Sequence, residues 1–183
     1  MNSKKVSVQE LCYIGIFAVI IMVSAQLRIP MPYGVPMTLQ TLAIPLAGIV
    51  LGTRNGTLSV VVYLLLGAFG LPVFSGFSGG LGALAGPTGG FLLSFPFMAM
   101  MAGMGAGKQN KGWLAAGLLS GTMINYLCGM VFYRVITSSS LMTAFVVCVL
   151  PFIPTAVVKM ILAGMIGKNL KTALLKSGLF IHY

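Results

Sequence analysis

Lys159 is the residue whose type and setting most demand a chemical explanation. It sits in PFIPTAVVKMILAGMIG, residues 151–167, an apolar stretch with no acidic side chain. The whole chain of 183 residues carries one carboxylate side chain, Glu10, and no Asp. A cation at membrane depth is expensive unless something pairs with it, so an intramembrane lysine is a functional-site candidate by default. Since the protein supplies no nearby counter-charge, a ligand carrying an acid or a carbonyl is one partner for it. A carbonyl-bonded or neutral lysine filling a gap is the other reading.

The same inventory excludes several chemistries. Without Asp, no Ser-His-Asp set can form, and one glutamate excludes paired-carboxylate catalysis and a relay of intramembrane acids. The single histidine, His182, lies at the end of the tail. Gly80-Leu-Gly82-Ala-Leu-Ala85 matches a dinucleotide fingerprint only loosely, with no strand before it and no acid after it. No GxxxxGK[ST] occurs, so the chain has no P-loop of its own. Cys12, Cys128 and Cys148 lie in apolar segments without paired spacing, as buried thiols rather than metal ligands or disulfides. The expectation is a protein that is not an enzyme, with no cofactor and no metal.

The elements that must position Lys159 follow from composition. The chain is 58% hydrophobic and 7% charged, against about 25% charged in a soluble domain. So few charges cannot build a soluble surface. The apolar segments are continuous rather than alternating, which favours helices over barrel strands. The eleven Lys and Arg are scattered, nearly all at segment ends and with no clustered basic stripe, so the net charge of +10 does not indicate nucleic-acid binding. The expected fold is an all-α integral membrane protein with six transmembrane helices in one domain, residues 1–183. The helices span approximately 8–27, 39–52, 56–70, 90–107, 113–133 and 141–166, the last interrupted by Pro151 and Pro154. A full span takes about 20 residues, so the second and third fall short. Lys4 and Lys5 precede the first segment, and Val23-Ser-Ala25 resembles a signal-peptidase site, which leaves a cleaved signal as the alternative to a first transmembrane helix.

Placing both termini in the cytoplasm puts Lys4, Lys5, Arg54, Lys108, Lys111, Lys168, Lys171 and Lys176 inside and only Arg28 and Arg134 outside. The outward connections then include 28–38, with three prolines, and 71–89, uncharged and rich in glycine. Non-helical backbone at membrane depth survives only where it is buried or lines a cavity. Glycine admits close backbone approach, and aromatic rings such as Phe74 and Phe77 can cover an apolar ligand. This points to a small-molecule pocket on the outer face. Nine residues separate Lys159 from Lys168, or about 13–14 Å of helix, so Lys159 falls near mid-membrane. Small residues on three segments (Gly15, Ala18; Gly117, Gly121; Ala163, Gly167) serve either internal packing or docking of another membrane protein.

VPMTLQTLAIPLAGIVLG (35–52), YLLLGAFGLPVFSGFSGGLGALAGPTGGFLLSFP (63–96), NYLCG (125–129) and PFIPTAVVK (151–159) closely resemble the BioY family. These are the biotin-binding S components of energy-coupling factor (ECF) vitamin transporters. The resemblance implies a six-helix bundle with both ends cytoplasmic and a biotin pocket near the outer face. It also implies partners: a transmembrane coupling subunit and two cytoplasmic ATPase subunits. The alternatives are an S component for a different vitamin, or a solitary biotin facilitator working without ATPase partners. The family stretch usually reads like PFLPGDLLK, whereas here Thr155-Ala156 replaces the Gly-Asp pair. The first helix lacks the AxxxA pattern that S components generally turn to the coupling subunit; Cys12, Gly15 and Ala18 are the nearest small residues. Residues and resemblance together give an expected substrate-binding set of Lys159, Thr38, Gln40, Phe74, Phe77, Gly79, Gly80, Leu81, Thr88, Gly89 and Tyr126. Lys159 would meet either the biotin carboxylate or the ureido oxygen.

Overall fold

The computed structural model describes residues 7–31, 34–108 and 110–177. Lys4, Lys5 and His182, together with Pro32 and Tyr33 of the first connection, lie outside the described residues. Helix α1 (Val8–Gln26) starts at a capping box: Glu10 N–H donates to Ser7 Oγ at 3.1 Å and Ser7 N–H donates to Glu10 Oε2 at 2.8 Å. Asn55 Nδ2 donates to Glu10 Oε1 at 3.1 Å. The carboxylate found in the sequence is therefore a structural clamp, holding the start of one helix to the turn of the next.

Two short strands follow, β1 (Arg28–Ile29) and β2 (Met37–Thr38), antiparallel with Arg28 opposite Thr38. Helix α2 (Gln40–Ala68) doubles back at Gly52, whose φ of 79° is open to glycine and strained for other residues. Its two arms match the two short segments read from the sequence, joined by a turn and not by a loop. They press together through glycine: a Cβ on Gly56 would fall 2.6 Å from Gly48 Cα. Helix α4 (Gly89–Gly107) approaches the same face, where a Cβ on Gly103 would lie 2.6 Å from Thr53 Cα. Between α2 and α4 the chain makes a bridge from Phe74 to Ser78 and a one-turn helix, α3 (Leu81–Ala85).

Helix α5 (Lys111–Thr137) is longer than expected at both ends. The last apolar segment is broken, as its prolines predict. Helix α6 (Leu141–Cys148) leads into a 3₁₀ turn at Leu150–Phe152, and α7 (Ile153–Lys176) begins with Pro154 in its first turn, where the missing N–H is harmless. Helix α7 runs well past residue 166. No glycine or proline follows Gly167 before Lys176, and Lys168 therefore sits inside the helix instead of ending it.

The core joins Phe17 and Ile21 of α1, Ala47, Val60 and Tyr63 of α2, Phe74, and Phe95 and Ala99 of α4. A second cluster gathers Val35, Tyr133, Val147, Cys148 and Phe152. Most of the small residues serve packing: a Cβ on Gly117 would lie 3.2 Å from Gly105 Cα and one on Gly167 2.8 Å from Ile49 Cγ2, while Ala18 and Ala163 are buried. Gly15 faces open space. Among the described residues, five helical stretches are long and apolar enough to cross a membrane: Val8–Gln26, Gln40–Ala68, Gly89–Gly107, Lys111–Thr137 and Leu141–Lys176.

Candidate functional site

A cavity of about 190 Å³ is walled by the 28–40 connection, the first turn of α2, the 71–88 connection, the start of α4, the middle of α5 and the first turns of α7. Of the residues expected from the sequence, Thr38, Gln40, Phe74, Thr88, Tyr126 and Lys159 line it. Ala156, the position where the resemblance expects an acid, also lines it and is buried.

Lys159 reaches across from α7. Its Nζ donates to the Thr38 carbonyl at 2.7 Å and to Thr41 Oγ1 at 3.1 Å. The carbonyl-bonded alternative is thus realised, and it ties α7 to β2. A protonated lysine has three donors, so two acceptors leave one hydrogen for the cavity. Thr38 is used twice more: its hydroxyl donates to Gln40 Oε1 at 3.0 Å and accepts from Gln40 N–H at 3.3 Å. Gln40 is buried, and its Nε2 donates to Tyr63 Oη at 2.6 Å. The Tyr63 ring in turn meets Phe74 edge-on, with centroids 5.4 Å apart at 81°. Gln40 therefore spends its hydrogen bonds within the protein, holding the two arms of α2 together at their open end. Tyr126 Oη donates to the Phe152 carbonyl at 3.3 Å and leaves its ring as wall.

Five expected residues do not line the cavity. Phe77 is 72% exposed at φ 56°, on the outer side of the turn that carries Phe74 inward. Leu81 is 71% exposed at the start of α3. Gly79 has its Cα against the Leu71 carbonyl, and Gly89 has its own against the Leu84 carbonyl and the Phe132 ring; both are close-approach positions of the connection itself. Gly80 donates its N–H to the Gly67 carbonyl at 2.7 Å. The glycine-rich sequence shapes the connection, and at these positions it does not form part of the cavity wall.

The structure adds Asn125 and Arg28, which sequence reasoning placed elsewhere or passed over. Asn125 is 1% exposed, and its Nδ2 donates to the Phe91 carbonyl at 3.0 Å and to Ser94 Oγ at 2.8 Å. A carbonyl only accepts, so the nitrogen faces Phe91 and Oδ1 faces away. Among the described residues no donor meets that Oδ1. An amide buried in the middle of an apolar segment was the available signal. Arg28 reads from sequence as an outer charge, and its place in the wall depends on the β1–β2 ladder.

The connection that carries Phe74 is held by the end of α1. Gln26 Nε2 donates to the carbonyls of Val73 at 3.3 Å and Phe74 at 3.1 Å, and Gln26 Oε1 accepts from Phe77 N–H at 3.0 Å.

Comparison with known proteins places this arrangement. The chain is 38% identical over 163 residues, 89% of its length and 96% of the relative, to a protein from Pyrococcus horikoshii described as a probable biotin transporter BioY. It is 39% identical over 164 residues, again 89% and 96%, to the biotin transporter BioY of Thermotoga maritima. The crystal structure of an S-component for biotin from an ECF-type ABC transporter superposes with a TM-score of 0.82 at 30% identity, covering 94% of each chain. The family model described as the BioY family matches residues 1–176. The chain belongs to the BioY family.

Proposed function

We propose that this chain binds biotin in the cavity between the 28–40 and 71–88 connections and is the substrate-capture subunit of an ECF-type transporter. The observation that carries the reading is the cavity's polarity. Aromatic walls from Phe74, Phe91 and Tyr126 stand beside Asn125, whose buried Oδ1 meets no donor among the described residues, and a lysine with one hydrogen left over. Biotin is complementary: an apolar thioether ring, ureido N–H donors and a ureido oxygen. A buried unpaired acceptor costs about 1–3 kcal/mol, which a ureido N–H recovers on binding. The names of the relatives and the biotin S-component of similar fold support the same substrate.

In this reading the two arms of α2 count as separate spans, giving six. Both termini lie in the cytoplasm, supported by the excess of Lys and Arg on that side. The cavity then faces outward. The chain forms a single transmembrane domain that works with a transmembrane coupling subunit and two cytoplasmic ATPase subunits, a reading supported by the fold it shares with a biotin S-component and by the lack of a P-loop in its sequence.

One observation favours a second reading: Ala156 replaces the acid usual in the family, which would suit an S component for a different vitamin. Calorimetry in detergent against biotin, desthiobiotin, riboflavin and thiamine separates the two. Saturable binding of biotin, with riboflavin and thiamine silent, is the expected result. A folded sample that ignores biotin overturns the first reading, and tight binding of one of the other vitamins establishes the second.

A further inference from the structure

Two cations, Arg28 and Lys159, line the cavity, and they are not equivalent. Lys159 is engaged by the Thr38 carbonyl and Thr41 Oγ1. The Arg28 guanidinium has no hydrogen bond or ion pair among the described residues, and Glu10, the only carboxylate side chain, sits at the opposite end of α1. The Arg28 guanidinium is nevertheless placed. It lies on Gly76, where a Cβ would come within 2.6 Å of its Cζ, so only a glycine lets the plane rest there. Arg28 also stands opposite Thr38 in the β1–β2 ladder, and cross-strand neighbours project to the same side. Its surface position sets it at the mouth of the cavity, whereas Asn125 is deep within.

We propose that Arg28 receives the ligand's carboxylate, in a fork-to-fork pair at the cavity mouth, while Lys159 serves the ureido oxygen further in. The proposal rests on the biotin reading above and fixes the ligand's direction: ureido head toward Asn125, valeryl acid toward the outer surface. A guanidinium suits the task because its planar donors match both carboxylate oxygens.

The test measures biotin and biotin methyl ester, which lacks the charge, against the parent, Arg28→Gln and Lys159→Met. The parent should prefer the acid by about tenfold, the equivalent of one charge-assisted bond at a partly solvated site. Arg28→Gln should erase the preference while binding the ester as the parent does. Lys159→Met should weaken both ligands and keep the preference. A parent without the preference, an Arg28→Gln protein that retains it, or a Lys159→Met protein that loses it overturns the assignment. In those cases biotin still binds, so the biotin reading stands. A parent that binds neither ligand defeats both. If Arg28→Gln binds neither, Arg28→Lys decides: a reduced preference supports the fork, and an unchanged one overturns it.

Discussion

Asn125→Leu is the substitution that most directly probes the buried acceptor. It keeps the side-chain volume nearly constant and removes both the donor and the acceptor. In the ligand-free protein it deletes two bonds, to the Phe91 carbonyl at 3.0 Å and to Ser94 Oγ at 2.8 Å. Phe91 keeps one partner, because Ser94 Oγ donates to the same carbonyl at 2.9 Å. The folding cost is therefore about 1–2 kcal/mol, at the level of one or two net hydrogen bonds. The variant also loses the unsatisfied Oδ1, which offsets part of that cost. Binding is affected in the opposite sense. With leucine at 125, a ureido N–H enters the cavity without an acceptor and forfeits about 1–3 kcal/mol, or roughly five- to 150-fold in Kd. Calorimetry in detergent reads the affinity, and thermal unfolding without ligand reads the fold. Biotin methylated on the ureido nitrogen completes the cycle: the parent should discriminate against it and Asn125→Leu should not. A leucine variant that melts like the parent and binds biotin within twofold of it refutes the reasoning.

Lys159→Met should weaken biotin binding by about tenfold, and it should also speed amide exchange across residues 37–40, since Thr38 loses its tie to α7; protection that stays at the parent level would show the tie to be inert. Gln26→Leu frees three backbone groups of the 73–77 turn. Biotin should then dissociate about tenfold faster, and an unchanged dissociation rate in stopped-flow counts against the clamp. Gly48→Val places a Cβ 3.0 Å from Gly103 N and against the Ala99 carbonyl. Overpacking of this kind costs about 1–3 kcal/mol or more, so the melting temperature in detergent should fall clearly; an unaltered melt would mean that α2 and α4 separate without penalty.

Much of the architecture was legible because a membrane allows few solutions. Continuous apolar runs bounded by single basic residues marked the helices, and Pro151 and Pro154 marked the break before α7. The turn at Gly52 was visible only as a gap between two short segments, since nothing in sequence announces a helix folding back on itself. Lys159 stood out because a charge among apolar residues is conspicuous; its partner, a backbone carbonyl 121 positions earlier in the chain, has no sequence signature. The glycine-rich connection misled in detail. Glycines enter such a segment for several reasons, and here Gly79, Gly80 and Gly89 serve close approach and turning and lie outside the cavity wall. Of the two aromatics, Phe74 points inward and Phe77 outward because the turn between them reverses the backbone, with Gly76 at φ 76°. Arg28 was read as an outer charge; its contribution to the wall is a tertiary fact, set by pairing with Thr38.

The double attachment of the α2 arms has a mechanical consequence. Near Gly52 the arms are held by glycine contacts against each other and against α4, and at the far end by the Gln40–Tyr63 bond of 2.6 Å. A hairpin fastened at both ends and backed by a third helix moves as one stiff plate, and Gln40, Thr41, Phe91 and Phe95 ride on it as a fixed wall. Opening the cavity cannot come from parting these arms. The remaining boundaries are the Phe74 turn, which also packs on Tyr63 and is hydrogen-bonded to α1 through Gln26, and the α5–α7 side, hydrogen-bonded to β2 and α2 through Lys159. The polar ties that hold these two boundaries to the rest of the wall are therefore few, and each centres on one long side chain, Gln26 or Lys159.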